Sequence, residues 1–175
     1  SYTISEISKA TGHHRVLSYR FACMSFIVRH ETDGYISATN KTAGDSLADV
    51  LGGMSLASKS KDKYINFADS KLRVKSGGHS VPIDSTLEIK TRTIRRPLGF
   101  DEAAPQLWVS QTPNLVRAYH ERGVFSEPKV EDVSHMIQSW EADSQVDLRK
   151  LGGLIQHLVA TAKKLGGKAT VTFDV

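Results

Sequence analysis

With 175 residues, 39% of them hydrophobic and 24% charged, the chain has the size and composition of one globular domain, or of one domain carrying a long insertion. A net charge of +4 permits an anionic partner such as a nucleic acid without requiring one. The single cysteine, Cys23, excludes an internal disulfide and any cysteine-cluster metal site, and no apolar run is long enough to span a bilayer.

The first residues, Ser1 to Glu6, have neither a basic stretch nor an apolar core and do not read as a signal peptide; a start at Ser rather than Met reads as a trimmed fragment. A reducing, intracellular setting, nuclear or cytoplasmic, is the expectation. His13-His14 reads as strand entry or surface, because adjacent side chains on a strand point to opposite faces. Val16 to Cys23 and Met24 to Tyr35 read as two strands, with Cys23 in an apolar run as a core residue. On the second strand Phe26 and Val28 face one way and Arg29, Glu31 and Asp33 the other. Two carboxylates and a guanidinium on one face are costly to bury unless paired or metal-bound; an exposed edge face is the plainer alternative. Gly34 fits a bend or a close backbone approach just past the acids.

Residues 37–70 change character. Ser, Thr, Ala, Gly, Asp and Lys dominate, and the stretch reads as an insertion or mobile loop between core strands, with one helical turn expected over Leu47–Leu51. Gly52-Gly53 is not a phosphate loop, since no Gly-Lys-Ser/Thr follows. Lys59, Lys61 and Lys63 read as solvated. Leu72 to Lys75 returns to a strand pattern, Ser76 to His79 marks a turn, and Pro82 makes the approach to the next strand an edge or a loop.

The centre of the chain is Ser85 to Arg92, where alternation predicts a strand with Thr86, Glu88, Lys90 and Arg92 on one face. An acid and an amine two apart on one strand face is the Glu-x-Lys arrangement of metal-dependent nucleases, where the carboxylate holds a cation and the lysine orients water or balances phosphate charge. Such a pair also occurs by chance as a solvated ion pair. Asp84 is a rival acid, but it lies about 13 Å from Glu88 if the chain between them is extended. Arg73, Lys75, Arg92, Arg95 and Arg96 give a local basic density suited to a nucleic-acid backbone.

Phe100 to Gln111 reads as a helix with Asp101 and Glu102 at its positive end, Pro105 in or near its first turn, and Leu107, Trp108 and Gln111 on one side. Pro113 closes it. Leu115 to His120 and Val124 to Val130 read as a hairpin around Glu121-Arg122-Gly123. Val133 to Ala142 predicts a short helix. Asp147 to Leu165 predicts a longer one, apolar along Leu148, Leu151, Ile155, Leu158, Val159 and Ala162 and capped by Gly166-Gly167. Lys168 to Phe173 alternates as a final strand.

Taken together, Glu31-Thr32-Asp33, Leu87-Glu88-Ile89-Lys90-Thr91, Leu107-Trp108-Val109-Ser110-Gln111 and Pro113 to Gly123 resemble, in order and context, the motifs of the decapping exoribonucleases. These are cap-surveillance nucleases with a PD-(D/E)xK-type core. With His14-Arg15-Val16, Arg29 to Tyr35 and Lys90-Thr91-Arg92, the likeness is nearest to divergent fungal members. It covers roughly residues 13–36 and 72–173.

The resemblance implies an α+β fold, a mixed central sheet flanked by helices, in one nuclease-like domain over residues 1–175. It implies a metal-dependent nuclease acting on RNA 5′ ends, with Mg²⁺ or Mn²⁺ as cofactor. Asp33 and Glu88 would be metal ligands, joined by the Ile89 carbonyl, and Glu31 would hold metal-bound water. Lys90 would position the nucleophile or the scissile phosphate, with Gln111 near it. Arg29, Arg73, Lys75, Arg92 and Arg95 would meet the substrate. RNA and possibly a partner exoribonuclease are the implied partners. The chain departs from the family's pattern in three ways. No upstream Arg motif is found and Glu6 alone stands in for the upstream acid, the segment between the motif strands is longer, and Thr32 replaces an apolar residue. An inactive relative that binds RNA or supports a partner nuclease is therefore the alternative, and a DNA-directed nuclease a third reading.

Overall fold

The computed structural model describes residues 12–36, 64–66, 71, 73–75 and 80–173. The fold is α+β. Strands β1 (His14–Phe21) and β2 (Met24–Glu31) form an antiparallel hairpin, with His14 opposite Glu31 and Phe21 opposite Met24. Their residues alternate between exposed and half-buried, as period-2 side-chain placement requires. Ala22 and Cys23 form the turn with φ of 47° and 61°, the left-handed pair of a tight two-residue hairpin. The expectation of a core Cys23 is corrected: the hairpin reverses at this residue, and its thiol is exposed.

The predicted strand from Met24 to Tyr35 is two strands. The chain leaves β2 at Thr32-Asp33 and enters a different sheet as β3 (Gly34–Tyr35), opposite the central strand at Leu87 and Thr86. Gly34 is needed there: a Cβ would sit 3.2 Å from Leu87 Cδ1. Strands β4 (Tyr64–Asn66) and β5 (Arg73–Lys75) form a separate antiparallel ribbon. The expected helical turn over 47–51, the Ser76–His79 turn, Glu6 and the 59–63 lysines lie outside the described residues.

After a 3₁₀ turn at Ile83–Ser85 comes β6 (Thr86–Thr93), then helix α1 (Phe100–Ser110), then β7 (Asn114–Glu121), which runs parallel to β6 with Leu87 opposite Asn114. This is a strand–helix–strand crossover, and it holds the core. Leu98, Ala103, Leu107, Leu115 and Val133 cluster together, with Phe100 and Ile137 against them. The Asn114 amide, buried between strands, donates to the carbonyls of Asp84 and Thr86 and fixes the start of both strands. Gln111 adopts φ 53° and ends α1 in a left-handed cap before Pro113. Pro105 is the sixth helical residue, a turn further in than expected; its missing N–H leaves the Asp101 carbonyl without its intrahelical donor.

The predicted hairpin is present but interrupted. Arg122 (φ 50°) and Gly123 (φ 86°) turn the chain into β8 (Val124–Phe125), and β9 (Val130–Asp132) pairs with the far end of β7. Between β8 and β9 the register slips by one residue, as at a bulge. The main sheet therefore runs β3-β6-β7-β8, with β9 also on β7.

Helix α2 (Ser134–Asp143) and helix α3 (Gln145–Lys164) follow. Only Leu148 and Gly152 of α3 are buried; Leu151 and Val159, expected on the inward stripe, are exposed. The reason is the contact that seats the helix. Gly152 lies against Ala22 at the hairpin tip and the Gln156 amide donates to the Ala22 carbonyl at 2.7 Å, so the inward line runs through Leu148, Gly152, Ile155, Leu158 and Ala162 and leaves Leu151 and Val159 outside it. Gly167 N–H donates to Ala162, as a glycine cap does. Lys168–Phe173, predicted as a strand, forms none and is exposed.

Candidate functional site

β6 begins buried and ends exposed. Glu88 lies in the buried half, at 6% exposure, so its charge needs partners at hand. Lys90 Nζ donates to Glu88 Oε1 at 2.8 Å and to Gln106 Oε1 at 2.6 Å. Gln106 Nε2 donates to the same Glu88 oxygen at 2.6 Å and closes a triangle. Among the described residues the other Glu88 oxygen accepts no hydrogen bond.

Asp33 reaches this strand from the other side. Its Oδ2 accepts from the Ile89 N–H at 2.8 Å. Continuing the β3–β6 register puts Asp33 opposite Glu88. A residue's N–H and C=O leave a strand on the same side, so the Ile89 carbonyl faces the edge where Asp33 sits. Asp33 and the Ile89 carbonyl thus share one edge of β6, and Glu88 is the residue before Ile89 on the same strand. That donor set suits Mg²⁺ or Mn²⁺, which take oxygen ligands and keep several waters. Among the described residues, no group of three or more Asp, Glu, His or Cys side chains is placed to hold a metal.

The remaining expected residues divide. Glu31 ends the hairpin, exposed, with its carboxylate beside Gly12, while Glu88 and Lys90 bond each other and Gln106. Gln111 turns back and donates to the Trp108 carbonyl at 2.6 Å. It lies about 140° around the helix from Gln106, because five residues rotate that far. Gln106, not Gln111, is thus the helix amide beside Lys90, and Gln111 is corrected to a cap residue. Arg92 pairs with Glu102 at 3.1 Å, and Arg95 lies 4.0 Å from Glu121. The Arg92 guanidinium and the Gly99 N–H hold the Glu102 carboxyl below the usual carboxylate range. Arg29 is exposed on the hairpin, while Arg73 and Lys75 lie on the separate β5 ribbon.

Two residues escaped the sequence reading. Gln106 carried a signal: Lys90 and Arg92 are about 6.6 Å apart on a strand, and Gln106 and Glu102 about 6 Å apart on a helix, so an antiparallel helix matches them pairwise. Arg117 is the parallel-register partner of Lys90 and shares its face. Its Nη2 pairs with Glu131 at 3.1 Å, while its buried Nε has no partner among the described residues.

The fold and this cluster define an α+β domain with an acid–amine pair on its central strand. The chain belongs to the family described as a domain of unknown function, DUF8563, whose profile matches residues 3–174. No curated protein and no solved structure matches it.

Proposed function

We propose that Asp33, Glu88, Lys90 and Gln106 form the centre of a divalent-metal-dependent nuclease of the PD-(D/E)xK kind, acting on RNA 5′ ends. The observation that supports this reading is the Lys90 amine 2.8 Å from the buried Glu88, with Asp33 bonded to the N–H of the next residue of β6, Ile89. Asp33, Glu88 and the Ile89 carbonyl would hold Mg²⁺ or Mn²⁺. Bound there, the ion would supply an activated water and neutralise charge on the phosphate. Gln106 bonds both members of the acid–amine pair and holds their spacing. Lys90 would donate to the attacking water or to a non-bridging phosphate oxygen. Arg117, on the same face, adds positive charge for the anionic substrate. The choice of RNA and of its 5′ end rests on the motif resemblance to decapping exoribonucleases.

A non-catalytic, RNA-binding relative is the second reading. It is favoured by the Lys90 amine being committed to Glu88 and Gln106, and by no group of three or more Asp, Glu, His or Cys being placed to hold a metal among the described residues.

Incubation with 5′-capped, 5′-triphosphate and 5′-monophosphate RNA separates the two. The nuclease reading expects Mn²⁺- or Mg²⁺-dependent hydrolysis that Glu88→Gln and Lys90→Met abolish, and Mn²⁺ binding by calorimetry that Asp33→Ala weakens. RNA binding without metal-dependent hydrolysis on any of these substrates leaves the second reading.

A further inference from the structure

Four residues beyond Lys90, about 13 Å along the chain, β6 runs out into Ile94-Arg95-Arg96 beside the β7–β8 turn. An open groove of about 680 Å³ lies here, lined by Ile94, Tyr119, His120, Arg122, Val124 and Phe125 among others. Its apolar lining is displayed to solvent: Val124 is 75% exposed, Ile94 58% and Phe125 53%. The Phe125 and His120 rings sit 5.2 Å apart, tilted by 57°.

The surrounding charge is positive. Arg122 and Glu121 line the groove and Arg95 lies 4.0 Å from Glu121, while Arg92 pairs with Glu102 on α1. The Arg95–Glu121 pair is long and exposed on both sides, so it holds neither partner firmly. Arg122 takes φ 50°, a conformation that Asn, Asp or Gly would adopt with less strain at the first position of such a turn. A cation is therefore held at the hairpin tip at a conformational cost.

An exposed Phe125 ring beside a half-buried His120, in an open groove flanked by Arg122 and Arg95, has the two parts of a single-strand binding surface: a stacking platform and positive charge for the backbone. We propose that this groove binds an unpaired stretch of RNA, with a base stacked on Phe125 and phosphates on Arg122 and Arg95. This inference rests on the nuclease reading for the identity of the polynucleotide; Phe125 and His120 lie on the sheet face opposite Lys90.

The test is fluorescence anisotropy of a labelled, unstructured oligoribonucleotide in EDTA, across a salt series. Phe125→Ala is expected to weaken binding by about 5- to 100-fold, the usual loss for one stacked base, and Phe125→Trp to retain it. Arg122→Gly removes the cation while relieving the strained turn. It is expected to raise the melting temperature, weaken binding and reduce the salt slope by about 1. This variant decides the matter if Phe125→Ala does not fold. Unchanged binding in both variants overturns the proposal. So does loss in Arg122→Gly alone with a folded Phe125→Ala, which marks a simple polyanion site, or equal affinity for a perfect duplex. Hydrolysis is read separately with Mn²⁺: a chain that binds in the expected pattern yet hydrolyses nothing fails the nuclease reading alone.

Discussion

The β6–α1–β7 crossover and the β1–β2 hairpin are built from strands of equal length, yet they are held differently. The crossover supplies most of the buried apolar side chains, Leu107 and Leu115 with no exposure at all. In the hairpin no residue is fully buried, and every second one faces solvent. The hairpin is tied down at separate points: Arg15 to the Val81 carbonyl at 2.9 Å, Tyr19 to the Val109 carbonyl at 3.2 Å, and Phe21 edge-on to Trp108 at 5.3 Å. The candidate site straddles the two. Glu88, Lys90 and Gln106 belong to the packed crossover, and Asp33 arrives at the exit of the hairpin. One half of the site is thus fixed by core packing, and the other by the short β3–β6 pairing on one side of Asp33 and the hairpin's separate contacts on the other.

Substitution gives this contrast numbers. Leu107→Ala empties a fully buried position of the crossover and is expected to cost about 2–5 kcal/mol, against about 1 kcal/mol or less for Val28→Ala in the half-buried hairpin. Chemical denaturation measures both, and equal losses would remove the distinction. The next largest effect lies where α3 meets the hairpin. A Cβ at Gly152 would come 2.5 Å from Ala22 Cβ, so Gly152→Ala is expected to cost about 1–3 kcal/mol despite alanine's better helix propensity. Gly153→Ala, with open space around it, is expected to gain up to about 1 kcal/mol. Opposite shifts in melting temperature from adjacent glycines would establish the docking.

Asp33→Ala removes the acceptor of the Ile89 N–H and is expected to cost about 1 kcal/mol, with faster amide exchange at Ile89 as the site-specific readout. The smallest effect belongs to Asp132, whose carboxyl lies below its usual range because the Ser134 hydroxyl and N–H donate to it at the start of α2. A depressed carboxyl contributes above its ordinary pKa, near 4, and that contribution fades as pH falls through the folded value. Asp132 is largely exposed, so Asp132→Ala is expected to cost about 0.5 kcal/mol at neutral pH and less in acid. A difference that grows on acidification would reverse the sign and reject the assignment.

Much of this was legible from residue order. The β6 strand, α1 with its acidic start, the Arg122-Gly123 turn and the Gly166-Gly167 cap follow from local rules of alternation, capping and turn chemistry. What escaped depended on distant neighbours. Cys23 lies in an apolar run, and only pairing of β1 with β2 makes it a turn. Lys168–Phe173 alternates like a strand but pairs with no edge among the described residues. The leucines of α3 form a stripe, yet Gly152 against Ala22 decides which side faces inward. At the site, alternation gave Glu88 and Lys90 one face, whereas choosing Gln106 over Gln111 needed the direction in which α1 runs back along β6.

Both tryptophans of the chain stand at the joint between these regions. Trp108 is nearly buried, 6.2 Å from Trp140 and in edge contact with Phe21 of the hairpin. Loosening the hairpin would expose the indole of Trp108 to water. Its natural emission therefore reports, without any attached dye, whether the arm that delivers Asp33 is seated.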